Sequence, residues 1–148
     1  MKGIKLGLIA LAIVGMTGIA NAGGVGYIDY LKVIDNYDYA KQVTKEVDAK
    51  GLEMQQYLVD KEKEYKSLDT PLKKQTFEER VSQEFKSKES AYMALKEKRE
   101  QEVYNKIKEA AKAVMVEQKL DAVMDARGVF VGGIDITPSV ISKLKTMK

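Results

Sequence analysis

Apolar residues recur at alternating intervals of four and three through most of the chain. One such run extends from Val47 to Leu68, and another from Phe77 to Arg99 with one irregular step. A period near 3.5 residues predicts coiled-coil helices with a narrow apolar seam. From Val103 to Val114 the repeat continues with a shift of phase, which would change the local winding. The predicted seam positions are Val47, Gly51, Met54, Leu58, Lys61, Tyr65 and Leu68, then Phe77, Val81, Phe85, Lys88, Tyr92, Leu95 and Arg99.

The two runs are separated by a short segment with helix-boundary signals. Thr70 is a suitable N-cap, and Pro71 fits the first position of a helix. A connection this short predicts antiparallel neighbours. Helices over residues 31–68 and 71–118 would be about 57 Å and about 72 Å long at roughly 1.5 Å per residue. We therefore expect residues 40–118 to form a helical hairpin arm that projects from the rest of the protein.

The seam of this arm is thin. Lys61, Lys88 and Arg99 occupy seam positions, and Gly51 costs about 1 kcal/mol relative to alanine in a helix. The pattern predicts a marginal coiled coil that flexes. Gly51 is a hinge candidate, although a close contact between the helices would explain a glycine there equally well.

Both ends of the chain predict a small sheet. Residues 25–30 read as a strand, with Asp29 able to cap a following helix. Residues 120–125 and 129–131 read as further strands, separated by a turn at 126–128 in which Gly128 is able to take a positive φ. Thr137 as N-cap and Pro138 at the first position predict a final helix.

The predicted body comprises residues 23–39 and 119–148. So small a sheet is poorly stabilised alone, and its edges would be open. Strands of several subunits that close into a barrel would remove those edges. The expected fold class is α+β, with a small β-barrel body formed by oligomerisation and a long antiparallel coiled-coil hairpin as its arm. The residues expected to build the body are Val129, Val131, Val140, Ile141 and Leu144.

The N-terminus has the layout of a secretory signal peptide. Lys2 and Lys5 precede an apolar run that ends in Ala20-Asn21-Ala22, and this run is shorter than a membrane-spanning helix requires. We expect residues 1–22 to be removed after Ala22. The formal charge of +3 then falls to +1, which argues against a nucleic-acid partner.

The composition excludes several classes of enzyme. The sequence contains no histidine and no cysteine, so Ser-His-Asp and Cys-His catalysis are excluded, as are sites that need imidazole or thiolate ligands. The aspartates near the ends are interpreted as caps and turn residues. We expect no enzymatic activity, no cofactor and no metal.

The order of elements, the segment VGYIDYLKVI after Gly24, the segment LDAVMDARGVFV and the closing DITPSVISKLK resemble the Skp/OmpH family of periplasmic chaperones. The resemblance covers about residues 25–145. It implies a homotrimer with an intersubunit β-barrel body and three arms, which holds unfolded outer-membrane proteins in the periplasm without ATP. Some members are described as binding lipopolysaccharide through basic side chains, so lipopolysaccharide or another anionic lipid is a candidate partner.

A holdase needs an adaptable, moderately apolar surface, and flexible methionines suit promiscuous contact. The candidates for such a surface are Met54, Tyr57, Tyr65, Tyr92 and Met93. Tyr57 and Met93 lie off the predicted seam and are the better candidates, whereas the helical spacing of the other three favours packing between the helices. The alternative function is a structural or adaptor coiled-coil protein of the cell envelope. A binder of nucleic acid or anionic surfaces is a further competitor that the near-neutral charge disfavours.

Overall fold

The computed structural model describes residues 23–147, so the predicted signal peptide lies outside the described part. The chain begins with strand β1 (Val25–Ile28) and helices α1 (Tyr30–Asp35), α2 (Asp38–Lys66) and α3 (Pro71–Glu117). It continues with strand β2 (Ala122–Asp125), a 3-10 turn (Ala126–Gly128), strand β3 (Ile134–Asp135) and helix α4 (Thr137–Thr146). No helix between residues 23 and 147 is long and apolar enough to cross a membrane.

Helices α2 and α3 form the predicted hairpin. The Oγ1 atom of Thr70 accepts a hydrogen bond from the backbone N–H of Lys73, and Pro71 opens α3, as predicted. The two helices have 29 and 47 residues, which corresponds to about 44 Å and about 70 Å. The arrangement is therefore mostly helical, with a small sheet.

The prediction of a single helix over residues 31–68 is wrong, because the structure has two helices there. Helix α1 ends at Asp35, and α2 begins only at Asp38. The side-chain amide of Asn36 donates to the carbonyl oxygen of Lys32 at 2.8 Å. Asparagine competes in this way with helical backbone bonds, which favours a helix end at this position. The break turns the chain so that Tyr37 is buried.

The sheet contains three strands in the order β2-β1-β3, and both outer strands pair parallel to β1. The prediction of a strand at residues 129–131 is wrong for the single chain, because the third strand is Ile134–Asp135. Gly132 and Gly133 have φ values of +82° and +88°, whereas Gly128 does not have the expected positive φ. The two glycines redirect the chain past the end of β1, so that Ile134 pairs with Gly26.

Helix α4 begins at Thr137, but its N-cap is Ile136 and not Thr137 as predicted. The Thr137 hydroxyl accepts a hydrogen bond from the backbone N–H of Asp29 at 2.9 Å, so it is engaged elsewhere. Asp29 caps α1 as predicted, with its Oδ1 atom accepting from the Lys32 N–H.

The core lies where α1, α3 and α4 meet the sheet. Its five largest fully buried side chains are Val33, Ile107, Val114, Ile136 and Val140. Val43 and Val47 extend it into the root of the hairpin. Between residues 48 and 102, Phe77 is the only buried residue. The body and root thus carry the core, and the outer arm is thinly packed.

Candidate functional site

The middle of the arm contains a gap in the seam. Met54 and Tyr92 are half-buried and line a shallow cavity of about 310 Å³ between α2 and α3. A Cβ atom placed on Gly51 would lie 3.6 Å from the Tyr92 hydroxyl oxygen, which is an ordinary contact. The helices are therefore not pressed together at Gly51. Met54 and Tyr92 join them and also border an open apolar surface.

Tyr57 does not point away from the hairpin, as its position off the seam suggested. Its hydroxyl donates to Oε2 of Glu84 on α3 at 2.6 Å. The Nζ atoms of Lys88 and Lys61 lie 5.0 Å and 5.7 Å from the centre of its ring. Loss of hydration and the bond to Glu84 raise the pKa of Tyr57 to about 12. Tyr57 therefore links the helices through its polar end.

Tyr65 lies near the tip, with its ring centroid 6.1 Å from that of Phe77. Lys74 and Arg80 lie 5.3 Å from the rings of Tyr65 and Phe77, respectively. Beside this pair is a wide groove of about 420 Å³ with mainly apolar walls. The seam reasoning assigned these walls to helix packing, but the groove remains open to solvent. Its apolar walls are Leu58, Tyr65, Phe77, Val81 and Phe85.

Met93 is 56% exposed, which agrees with its position off the seam. Sequence reasoning missed three similar residues on the arm, Leu52, Val59 and Leu72, which are 64%, 46% and 73% exposed. Their signal was available, because an apolar residue outside an a/d position of a coiled coil has no partner helix to cover it.

Charged residues cover the rest of the arm. Most ion pairs link neighbouring turns, such as Lys66–Glu62 at 2.6 Å and Lys61–Glu64 at 2.7 Å. Exposed pairs of this kind stabilise a protein by about 0–1 kcal/mol each. Their main effect here is a polar surface of both signs around the apolar patches.

One polar cluster differs from these exposed ion pairs, because it lies between α2 and α3 where the arm meets the body. At this point polar side chains take the place of the apolar seam. Arg99 donates to Oε2 of Glu46 at 2.5 Å and to Oε2 of Glu102 at 2.8 Å. The Tyr39 hydroxyl donates to the same Glu102 oxygen at 2.9 Å. The bonds from Arg99 and then Tyr39 hold the pKa of Glu102 below its usual value. We call these four residues the root cluster; it joins α2 to α3 through hydrogen bonds.

The residues predicted to build the body divide into two groups. Val140 and Leu144 are buried inside the chain, and Ile141 is half-buried against the same core. Val129 is half-buried, and Val131 is 87% exposed beside Phe130, which is fully exposed. The loop at residues 129–133 therefore presents apolar side chains to solvent.

Three of the aspartates near the ends, Asp29, Asp125 and Asp135, act as caps or turn residues, as interpreted. Oδ1 of Asp125 accepts from the backbone N–H of Arg127, and Oδ1 of Asp135 accepts from that of Thr137. The Arg127 guanidinium lowers the pKa of Asp125 to about 2. Within residues 23–147 no group of three or more acidic, histidine or cysteine side chains is placed to hold a metal ion.

Comparison with known proteins places the chain in a family. The family described as OmpH, outer membrane protein (OmpH-like), matches residues 24–144. The chain therefore belongs to the OmpH-like family. A solved structure, that of a proposed outer membrane chaperone (OmpH-like) from Caulobacter crescentus, is 15% identical with a TM-score of 0.41. The match covers 84% of this chain and 85% of the other. A search of curated proteins found no significant match.

Proposed function

We propose that this protein is an ATP-independent holdase of the periplasm, which binds unfolded outer-membrane proteins and prevents their aggregation before membrane insertion. Membership of the OmpH-like family supports the class, an outer membrane protein chaperone. The observation that carries the proposal is the outer arm. Between residues 48 and 102 only Phe77 is buried, while several large apolar side chains face solvent.

Such a surface suits an unfolded client for a physical reason. Clients expose apolar segments in no fixed order, so a binder gains from many small apolar contacts on a surface that adapts. Met54 and Met93 are flexible side chains of this kind, and the open groove near Phe77 offers aromatic contact. Charges of both signs between these patches keep each contact weak, so that a client leaves without nucleotide hydrolysis. Met54, Tyr57, Tyr65, Tyr92 and Met93 remain the proposed contact residues.

We further propose that the body is a homotrimer in which strands of three subunits close a barrel. One face of the sheet supports this. In the observed register Val25 and Met124 project from the same sheet face, and both are more than 40% exposed. An apolar sheet face left open to water is destabilising, and a closed barrel would cover it. Light scattering at micromolar concentration should give about three times the mass of the monomer; a stable monomer would refute the trimer.

The holdase proposal is tested by dilution of a urea-unfolded outer-membrane β-barrel protein into buffer with the purified protein. We expect suppression of turbidity at stoichiometric amounts of trimer. The matched variant replaces Leu52, Leu72 and Met93 by serine; because all three are exposed, it should keep its fold but suppress turbidity less. No suppression by the native protein at a several-fold excess would refute the holdase and favour an envelope adaptor.

A further inference from the structure

The groove near the tip of the arm has mostly aromatic walls. It lies between α2 and α3, close to the point where α2 ends at Lys66 and α3 begins at Pro71. Its volume of about 420 Å³ is within the range of about 300–1,000 Å³ that small-ligand sites occupy. Three of its five apolar wall residues are aromatic, namely Tyr65, Phe77 and Phe85. These walls favour an aromatic occupant, because rings attract a further ring beyond the effect of buried area alone. We call this site the tip groove.

Cations of the protein already lie over two of these rings. The Nζ atom of Lys74 is 5.3 Å from the centre of the Tyr65 ring. The ring of Phe77 has the guanidinium carbon of Arg80 at 5.3 Å and the Nζ atom of Lys61 at 5.8 Å. A second cation that entered between the walls would meet these like charges, which disfavours it. The space between the walls therefore suits an uncharged ring.

Three charged residues border the tip groove, and two of them are already paired along α2. The Nζ atom of Lys61 lies 2.7 Å from Oε2 of Glu64. The Oε1 atom of Glu62 lies 2.6 Å from the Nζ atom of Lys66. Because each of these charges has its partner, the α2 side of the border offers an occupant little free charge.

The third charged residue on the border, Glu78 on α3, has no ion-pair partner within residues 23–147. Lys74, one turn earlier on the same helix, lies over the Tyr65 ring instead, and Arg80 pairs with Glu64 at 3.4 Å. The Glu78 carboxylate beside the Tyr65 hydroxyl raises the pKa of that tyrosine. The tip groove thus combines aromatic walls with one unpaired negative charge at its border.

We propose that the tip groove binds extended client segments in which an aromatic residue lies two positions from a lysine or arginine. Side chains two positions apart on an extended chain point to the same side, about 7 Å from each other. The ring then enters the groove while the cation lies at the border beside Glu78. An acidic residue in the same position is repelled by Glu78, so the groove discriminates against such segments. This selectivity rests on the proposed holdase function and specifies the client segments that the arm tip takes.

The charge of the tip disfavours another occupant, an anionic membrane surface. Residues 60–80 carry six basic and six acidic side chains, so the tip has no net charge. Attraction to anionic lipid comes from an excess of basic residues near the surface, and the tip lacks that excess. The unpaired carboxylate of Glu78 would also repel anionic headgroups, whereas it attracts a basic client side chain.

The first test uses the tryptophan fluorescence of short peptides, because the chain itself contains no tryptophan. One peptide, built from glycine and serine with both ends capped, carries tryptophan and, two positions later, lysine. Its match carries glutamate in place of the lysine. The native protein should bind the lysine peptide about two- to fivefold more tightly, as one exposed charge contact allows.

Variants locate the source of this preference. Glu78→Gln should remove it, whereas Glu79→Gln removes the same charge from the neighbouring exposed position outside the groove and should keep it. Leu58→Ser shortens a groove wall that is 43% exposed and should weaken the binding of both peptides. Leu52→Ser, at a more exposed leucine of the same helix outside the groove, should weaken neither. The Glu78 pair of variants tests the proposal even if Leu58→Ser disturbs the packing of the arm.

Equal affinity of the native protein for the two peptides would overturn the proposal, as would a lysine preference that survives in Glu78→Gln. If neither peptide binds, another copy of the chain covers the groove or no peptide fits it, and the proposal is wrong. If vesicles of phosphatidylglycerol sediment with the native protein but not with Leu58→Ser, the groove takes a lipid surface, and the proposal is likewise wrong.

The turbidity assay separates these results from the proposed function. A native protein that suppresses turbidity but does not distinguish the peptides is a holdase without this selectivity. A native protein that distinguishes the peptides but does not suppress turbidity has the selective groove, and the holdase is refuted.

Discussion

The backbone N–H of Asp29 donates to the Oγ1 atom of Thr137 at 2.9 Å, although 108 residues separate the two. The bond joins the residue that follows β1 to the first residue of α4, and so connects the two ends of the chain within the body. Thr137 is 4% exposed, and its own backbone N–H donates to Asp135. Thr137 therefore links the junction of β1 and α1 to the junction of β3 and α4 at a buried position.

Replacement of Thr137 by valine should destabilise the body. The change keeps the shape but leaves the Asp29 N–H without its acceptor, which costs about 1–3 kcal/mol for a buried donor. Thr137→Ser keeps the hydroxyl and should lose less. Urea unfolding at matched protein concentration measures both variants, because self-association shifts apparent stability. A loss in Thr137→Ser with none in Thr137→Val would show that packing of the methyl group matters and the hydrogen bond does not.

The root cluster should make the arm sensitive to acid. The pKa of Glu102 is lowered from 4.5 by Arg99 and Tyr39. A carboxyl group with a lowered folded pKa stabilises the protein fully above its unfolded pKa, and this contribution is lost as pH falls through the folded value. Helix content followed by circular dichroism should therefore show arm stability decreasing below pH 4.5.

Glu102→Gln provides the control for this acid effect. It removes the titrating group but keeps an acceptor for Tyr39 and Arg99. Other groups with a lowered pKa, such as Asp125, titrate equally in both proteins. The variant should lose less stability between neutral pH and acid than the native protein does. Parallel curves for the two proteins would contradict a role for Glu102.

Two glycines should respond in opposite directions to the same substitution. A Cβ atom at Gly51 meets the Tyr92 hydroxyl at 3.6 Å, so Gly51→Ala fits and should stabilise α2 by about 1 kcal/mol. Gly133 has φ of +88°, and its Cβ would lie 3.2 Å from the carbonyl oxygen of Val25. Gly133→Ala should therefore cost about 1–2 kcal/mol or more. Thermal unfolding measures both variants.

The hinge role of Gly51 stays a prediction that the same variant examines. If flexure at Gly51 opens the arm, Gly51→Ala should slow hydrogen exchange of the amides near residue 51 and reduce the range of client sizes that the protein holds. Faster unfolding of Gly51→Ala than of the native protein would show instead that the methyl group does not fit against Tyr92.

The arm was well predicted from its sequence because its determinants are local. The 3.5-residue repeat, the Thr70 cap and Pro71 each determine the conformation of residues close by in the sequence. The ends of α3 were therefore predicted closely. The break at Asn36 was missed because the apolar spacing continues across it; only the side-chain bond to Lys32 reveals it. The orientation of Tyr57 was missed because a polar bond to Glu84 outweighed its position off the repeat.

The body was predicted less well because its pairings are between distant residues. Val129-Phe130-Val131 has the composition of a strand, yet it pairs with no strand of its own sheet, and Ile134–Asp135 pairs with β1 instead. The β-strand propensity of a segment describes how well it fits a half-buried sheet, but it does not identify the strand with which the segment pairs. The strand-like composition of residues 129–131 therefore did not reveal that β1 pairs with Ile134–Asp135.

Met93→Ser tests the arm surface with little effect on the fold. Met93 is 56% exposed on α3, so the free energy of unfolding should change by no more than about 0.5 kcal/mol. Only part of the Met93 side chain is exposed, so its replacement removes only a small apolar contact area with the client. We therefore expect client affinity to fall by less than about tenfold, which corresponds to 1.4 kcal/mol. Competition between labelled and unlabelled unfolded client measures the change.

The matched control for this test is Gln83→Ser, an exposed uncharged position on the same helix. It shortens a side chain without removing an apolar contact, so client affinity should stay at the native value. Addition of Leu52→Ser to Met93→Ser should weaken binding further, because distant exposed residues contribute nearly independently. If the double variant binds client as tightly as Gln83→Ser does, clients are held somewhere other than on these exposed apolar side chains of the arm.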